Sequence, residues 1–177
     1  DVSNLKGVEE TLQTIRPQVI VNAAAYTAVD QAQEDLKGAH LINAQAPAVM
    51  AEQAHKLGAI VVHYSSDYVY DGSGQTPWHE SATPNPLSVY GGSKLQGDLA
   101  IKAICDQHLI FRTSWVYGAR GGNFAKTMLK LACEKEELRV VGDQVGAPTG
   151  ADLIADVTAH ALRSVSMNSE LCGLYHL

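Results

Sequence analysis

The chain has 177 residues, 46% hydrophobic and 18% charged, with a formal net charge of −6. That is enough apolar material for one domain with a real core, and too much for a disordered chain. The acidic balance argues against a nucleic-acid surface, and no apolar run is long enough to span a bilayer, so no membrane partner is expected. Three widely spaced cysteines, Cys105, Cys133 and Cys172, with no C-x-x-C pair, argue against a disulfide framework or a zinc site and point to a reducing cytoplasm.

In chain order, Val8, Leu12 and Ile15 recur at helical spacing and predict a helix over 7–16, stopped by Pro17. Residues 19–25 form a β-branched apolar run closing in small residues, the pattern of a buried parallel strand. An Ala-rich helix over 35–57, with an interruption expected near Pro47, ends at Gly58 and leads to a strand over 60–65. Residues 67–86 are dense in Gly, Pro, Asp and Ser, a long loop of the kind that carries function. A helix over 87–106 follows, weakened near its start by Gly91 and Gly92, which ask for close approach of a ligand or another segment. A strand at 109–113, a helix over 123–135, a short strand at 139–141, a helix over 151–164 and a strand opening at 173 complete the chain. The alternation predicts an α/β fold, a Rossmann-like parallel sheet with helices on both faces, whose ligands bind beyond the carboxyl ends of the strands. The chain starts at Asp1 without Met and stops inside an apolar run, so an internal piece of a longer protein is expected.

Three residues suggest chemistry at that edge. Tyr90 and Lys94 stand four apart, one turn from each other on one helix face. A free phenol has a pKa of about 10 and is a poor proton relay at neutral pH. A neighbouring ammonium is expected to lower it, and Ser66 at the end of the second strand supplies a hydroxyl for the same reacting oxygen. Y-x-x-x-K alone arises by chance in many helices.

The wider pattern is more specific. Val21-Asn22-Ala23-Ala24-Ala25-Tyr26, His63-Tyr64-Ser65-Ser66-Asp67-Tyr68, Tyr90-Gly91-Gly92-Ser93-Lys94, Phe111-Arg112-Thr113-Ser114-Trp115 and Asp143 to Thr149 occur in order. Together they resemble the dTDP-4-dehydrorhamnose reductase family of extended short-chain dehydrogenases/reductases, over nearly the whole chain. The resemblance implies a Rossmann-type domain, NADPH or NADH as cofactor, and reduction of the 4-keto group of a dTDP-sugar substrate to give dTDP-L-rhamnose. It implies Ser66, Tyr90 and Lys94 as the catalytic set. Asp1, Val2, Ala24, Ala25 and Tyr26, with Tyr90 and Lys94, fall at cofactor-binding positions, and Ser66, Asp67 and Trp115 at substrate positions. A homodimer and a Mg2+ site of carboxylates are further features of the full-length family; only Asp152 fits the latter, and no metal ligand is assigned. The family's usual Thr, His and Glu are replaced by Ser66, Tyr26 and Asp98. The strand, glycine-rich loop and second strand that hold the pyrophosphate have no counterpart in 1–177. The expected organisation is therefore a truncated dinucleotide-binding domain with part of a substrate lobe over about 118–177.

Simpler roles compete at each position. Ser66 also suits a turn or helix cap, Asp67 a loop cap, Trp115 a core platform, and His63 and His176 satisfied core residues. Two other functions fit the fold: a sugar-nucleotide epimerase or dehydratase, and a non-catalytic regulatory subunit such as the methionine adenosyltransferase β subunit. Ser114-Trp115 and the 143–149 motif favour the reductase; retention of all three catalytic groups disfavours the regulatory subunit.

Overall fold

The computed structural model describes residues 1–177. Four parallel strands, β1 (Val19–Asn22), β2 (Ile60–Ser66), β3 (His108–Thr113) and β6 (Gly173–His176), form the main sheet in that order. Their register aligns Asn22 with His63, Ser66 with Thr113, and Arg112 with His176, so the carboxyl ends share one edge. On one face lie α1 (Leu5–Ile15), α4 (Ala46–Leu57) and α5 (Val89–Ile104); Ile20, Val61 and Ile110 of the sheet pack there against Met50, Ala54 and Ile101. The other face is covered by α7 (Ala151–Met167), where Val62, Leu109 and Phe111 meet Val165. Burying each such side chain contributes about 1.5–3 kcal/mol. This is the Rossmann-like arrangement that the alternating pattern predicts.

The helix expected over 35–57 is three pieces. A short α2 (Val29–Ala32) precedes α3 (Leu36–His40), a five-residue π-helical turn (Leu41–Gln45) follows, and Pro47 sits in the first turn of α4, where its missing N–H costs nothing. The π turn buries Asn43 and Ala44 against α5. No strand forms at 139–141: those residues have no sheet partner, and Val140 and Val141 are exposed. Two short strands that periodicity does not reveal, β4 (Val116–Tyr117) and β5 (Thr149–Gly150), pair in parallel as a separate ribbon. Between them runs α6 (Phe124–Glu134), capped by Asn123, whose Oδ1 accepts from Lys126 N. The segment expected as substrate lobe therefore divides: 151–177 returns to the sheet through α7 and β6, while 116–150 stands beyond the strand ends.

The glycines of α5 have a packing reason. A Cβ at Gly91 would run into the carbonyl oxygen of Tyr68, and one at Gly97 into that of Asn43, whereas one at Gly92 meets nothing within 4 Å. The helix is pressed against two backbones at once, and backbone cannot step aside as a side-chain tip can. Gly97→Ala should therefore destabilise the fold by about 1–3 kcal/mol, despite the better helix propensity of Ala. Urea unfolding followed by circular dichroism measures this; an unchanged midpoint would show that the contact is soft.

Candidate active site

Period-two alternation builds the site. On the α5 side of the sheet, Ile20, Val61 and Ile110 form an apolar layer. Two residues further along each strand the same face carries Asn22, His63 and Arg112, and β2 adds Ser65. All four are buried. Facing them from α5, one turn apart, are Lys94 and Asp98, each only 1% exposed.

Asp98 Oδ2 accepts from Ser65 Oγ at 2.9 Å and from Nε and Nη2 of Arg112, both at 3.1 Å. Arg112 Nη1 continues to the Tyr70 hydroxyl at 2.7 Å, and that hydroxyl lies 3.0 Å from His176 Nε2. Tyr70 also stacks on Trp78, which closes part of the long loop over the sheet. Lys94 Nζ donates to the Tyr64 carbonyl at 2.6 Å and lies 3.3 Å from His63 Nε2. Burial lowers the Lys94 ammonium to about 8, with Asp98 pulling the other way. Burial also raises the Asp98 carboxyl, against the pull of Arg112 and Ser65.

At the strand edge, Ser66 closes β2 and caps the turn Asp67–Val69: its Oγ accepts from Tyr68 N at 3.2 Å and donates to Asp67 Oδ1 at 3.2 Å. Asp67 Oδ2 accepts from Ser114 Oγ at 2.7 Å, tying the ends of β2 and β3 together. The simpler cap roles weighed for Ser66 and Asp67 are thus both present, and neither prevents the hydroxyl from serving Tyr90. Tyr90 lies in the first turn of α5, started by Ser88, whose Oγ accepts from Gly91 N. Its ring meets that of Tyr68 edge to face, centroids 5.5 Å apart. Burial raises the Tyr90 phenol, the interaction with Ser66 lowers it, and the charge of Asp67 raises it again. The net shift is upward. The lowering expected from Lys94 is not met in this arrangement, because the lysine is turned inward to β2.

The remaining predicted positions surround this edge unevenly. Ala24 donates its backbone N–H to Asn22 Oδ1 at 3.2 Å, and Ala25 and Tyr26 continue the same strand-end loop. Tyr26 is clamped by Asn43, whose Oδ1 accepts from Tyr26 N at 2.8 Å while Nδ2 donates to Tyr26 O and to Ser93 Oγ, both at 3.0 Å. Trp115 has a left-handed backbone, φ 44°, and stays 47% exposed; a Cβ on Gly146 would strike its indole, so the 143–149 motif folds over the ring. Asp1 and Val2 are not drawn into the cluster: Asp1 accepts from Ser3, and Val2 packs on the apolar layer near α1. No group of three or more His, Cys, Asp or Glu is placed to hold a metal, and Asp152 stands alone in the first turn of α7. Sequence reasoning missed Asn22, Asn43, Asp98 and Arg112. Strand parity with Ile20 and Ile110 marks Asn22 and Arg112, and the i, i+4 spacing from Lys94 marks Asp98; nothing local marks Asn43.

The inward lysine has a measurable consequence. Its charge destabilises the buried position, so stability should rise as pH climbs from about 8 toward the unfolded value of 10.5. Lys94→Met should remove about 3 kcal/mol of the increase in unfolding free energy between those pH limits. Urea titrations of both forms at pH 7 and pH 10 give the comparison; equal slopes would mean that Lys94 is solvated.

The whole chain, residues 1–177, matches the family described as the RmlD substrate binding domain. It is 56% identical over 177 residues to the dTDP-4-dehydrorhamnose reductase of Shigella flexneri and 55% identical to that of Escherichia coli K12, covering all of this chain and 59% of each relative. Among solved structures, the dTDP-4-dehydrorhamnose reductase of Bacillus anthracis in complex with NADP superposes with a TM-score of 0.89 at 38% identity, over 100% of this chain and 61% of that one. The Clostridium acetobutylicum orthologue gives 0.93 at 38% identity with the same coverage. This chain thus spans about three-fifths of the length of the relatives it matches. Matched along its entire length by that family and by relatives above half identity, the chain belongs to the RmlD substrate-binding domain family.

Proposed function

We propose that this chain supplies the proton-transfer and sugar-binding part of an NAD(P)H-dependent reductase acting on the 4-keto group of dTDP-6-deoxy-L-lyxo-4-hexulose and forming dTDP-L-rhamnose. The observation that carries the reading is the meeting of Ser66 and Tyr90 at the carboxyl edge of the sheet, one helical turn from Lys94. The names of the curated relatives support the substrate, and the NADP complex of the Bacillus anthracis protein supports the cofactor. A reducing cytoplasmic setting agrees with three free cysteines, and a homodimer is the assembly we propose for the complete protein.

The residues present fit one half of such a cofactor. Ala24 and Ala25 are small at the strand end, Gly92 faces open space, and Lys94 lies between them and Tyr90 in the order of the fold. No strand–glycine-rich turn–helix unit occurs in 1–177, so these residues do not cradle a pyrophosphate. A bound nicotinamide supplies the hydride. Tyr90 then gives its proton to the oxygen that becomes the new hydroxyl, and Ser66 donates a hydrogen bond to that oxygen as charge develops. The upward shift of the phenol keeps its proton in place until an alkoxide, a stronger base, forms beside it. Asp67, fixed by Ser114, and Trp115, held by Gly146, flank the place where the sugar nucleotide would lie.

In protein of the relatives' full length, Tyr90→Phe should lower kcat by orders of magnitude with cofactor affinity retained, and Ser66→Ala should lower it by about 10²–10³-fold. Loss of NADPH absorbance with the 4-keto sugar nucleotide reads both; near wild-type turnover in Tyr90→Phe would overturn the assignment. Calorimetric titration of the 177-residue chain with NADPH should show weak binding or none, and tight binding would mean that these residues hold the phosphates after all.

A further inference from the structure

The buried polar stripe contains a hydrogen-bond order whose direction is fixed by the backbone. Ala24 N–H donates to Asn22 Oδ1, which settles which end of that amide is oxygen. Asn22 Nδ2, a donor only, lies 3.0 Å from His63 Nδ1. His63 Nδ1 therefore accepts and carries no proton. The ring is fully buried, and burial, followed by the Lys94 charge, holds it well below the usual imidazole range, so it is neutral. Its single proton is then on Nε2.

That N–H is directed at Lys94 Nζ, 3.3 Å away. An ammonium has three donors and no acceptor, so it cannot receive this hydrogen. A neutral amine can, through its lone pair, while still donating to the Tyr64 carbonyl. The other groups that face Lys94 do not change this. Asp98 Oδ1, one turn along α5, is buried without a partner and lies 3.9 Å from His63 Nε2, beyond hydrogen-bond length. The charge of Arg112 on β3 is spent on Asp98 Oδ2, and Tyr90 stands one turn back on α5. The inward position is thus the amine's position.

We propose that His63, aimed by Asn22, is a positioning residue that sorts Lys94 by charge, holding the amine inward against Tyr64 and turning the ammonium out toward Tyr90. This rests on reading Tyr90 and Lys94 as the working pair. His63 touches no reacting atom and acts only through the lysine. Lys94 then faces Tyr90 in the charged form that stabilises a phenolate, and withdraws to β2 once it has lost its proton.

The test is nuclear magnetic resonance of the 177-residue chain with ¹⁵N-histidine and ¹³C,¹⁵N-lysine. The wild-type His63 should carry its proton on Nε2, and its ring nitrogens should report the same midpoint, near 8, as the Lys94 side chain. In Asn22→Asp, a carboxylate oxygen replaces the donor, so the His63 proton should move to Nδ1 and leave Nε2 to accept from the ammonium. The Lys94 midpoint should then rise by about one unit or more, a tenfold gain in proton affinity. A His63 proton on Nδ1 in the wild type, or ring signals that ignore the Lys94 titration, would overturn the proposal, and neither reading needs the variant to fold. A reductase assay that fails in the full-length protein would remove the catalytic reading while leaving these resonances unchanged, so the two failures are separable.

Discussion

Asp98 lies beneath α5 with its carboxylate out of water, and two nitrogens of Arg112 reach it from the neighbouring strand. Withdrawing two such charges from solvent costs several kcal/mol per ion, recovered only when the geometry is close and the remaining atoms are paired. Here the pair fixes the height of α5 over β2 and β3, because Ser65 and Arg112 come from different strands and converge on one oxygen. Everything functional on α5 inherits that placement. Lys94 is set opposite His63, and Tyr90 is carried to the edge where Ser66 ends its strand.

The second oxygen of Asp98 has no partner. Such an atom in a buried network is costly, and its position between His63 and Arg112 leaves the stripe slightly under-satisfied where the catalytic lysine enters it. The polar groups therefore do two things at once. One side, through Arg112, Tyr70 and His176, is rigid and ties the long loop to the sheet. The other side, through Asn22, His63 and Lys94, keeps a choice of proton positions. A wholly apolar interface would hold α5 as firmly but would offer the lysine nowhere to rest.

The region beyond the strand ends is built differently. Its elements are short: β4 and β5 span two residues each, and α6 buries no residue fully. Phe124, Leu129, Val141 and Val145 remain exposed. Trp115 is held in a left-handed backbone at the junction between the sheet and this layer, a conformation that a bulky side chain adopts only when its surroundings impose it. The strain falls where the comparison with the family places the sugar nucleotide.

The sequence by itself determined the parallel sheet, its strands and the helices that cover it, because apolar periodicity is a local property that survives without knowledge of partners. It also placed Ser66, Tyr90 and Lys94, because a strand end and a one-turn spacing are local too. It misplaced a strand at 139–141, whose β-branched residues have no neighbour to pair with, and missed the π turn at 41–45, whose cause is the close passage of α5 at Gly97. Only the tertiary structure decided where Lys94 points and which way the Tyr90 phenol shifts. Those depend on His63, Asn22 and Asp67, which are distant in the chain and act through burial and hydrogen-bond direction, quantities that exist only once three strands and one helix have met.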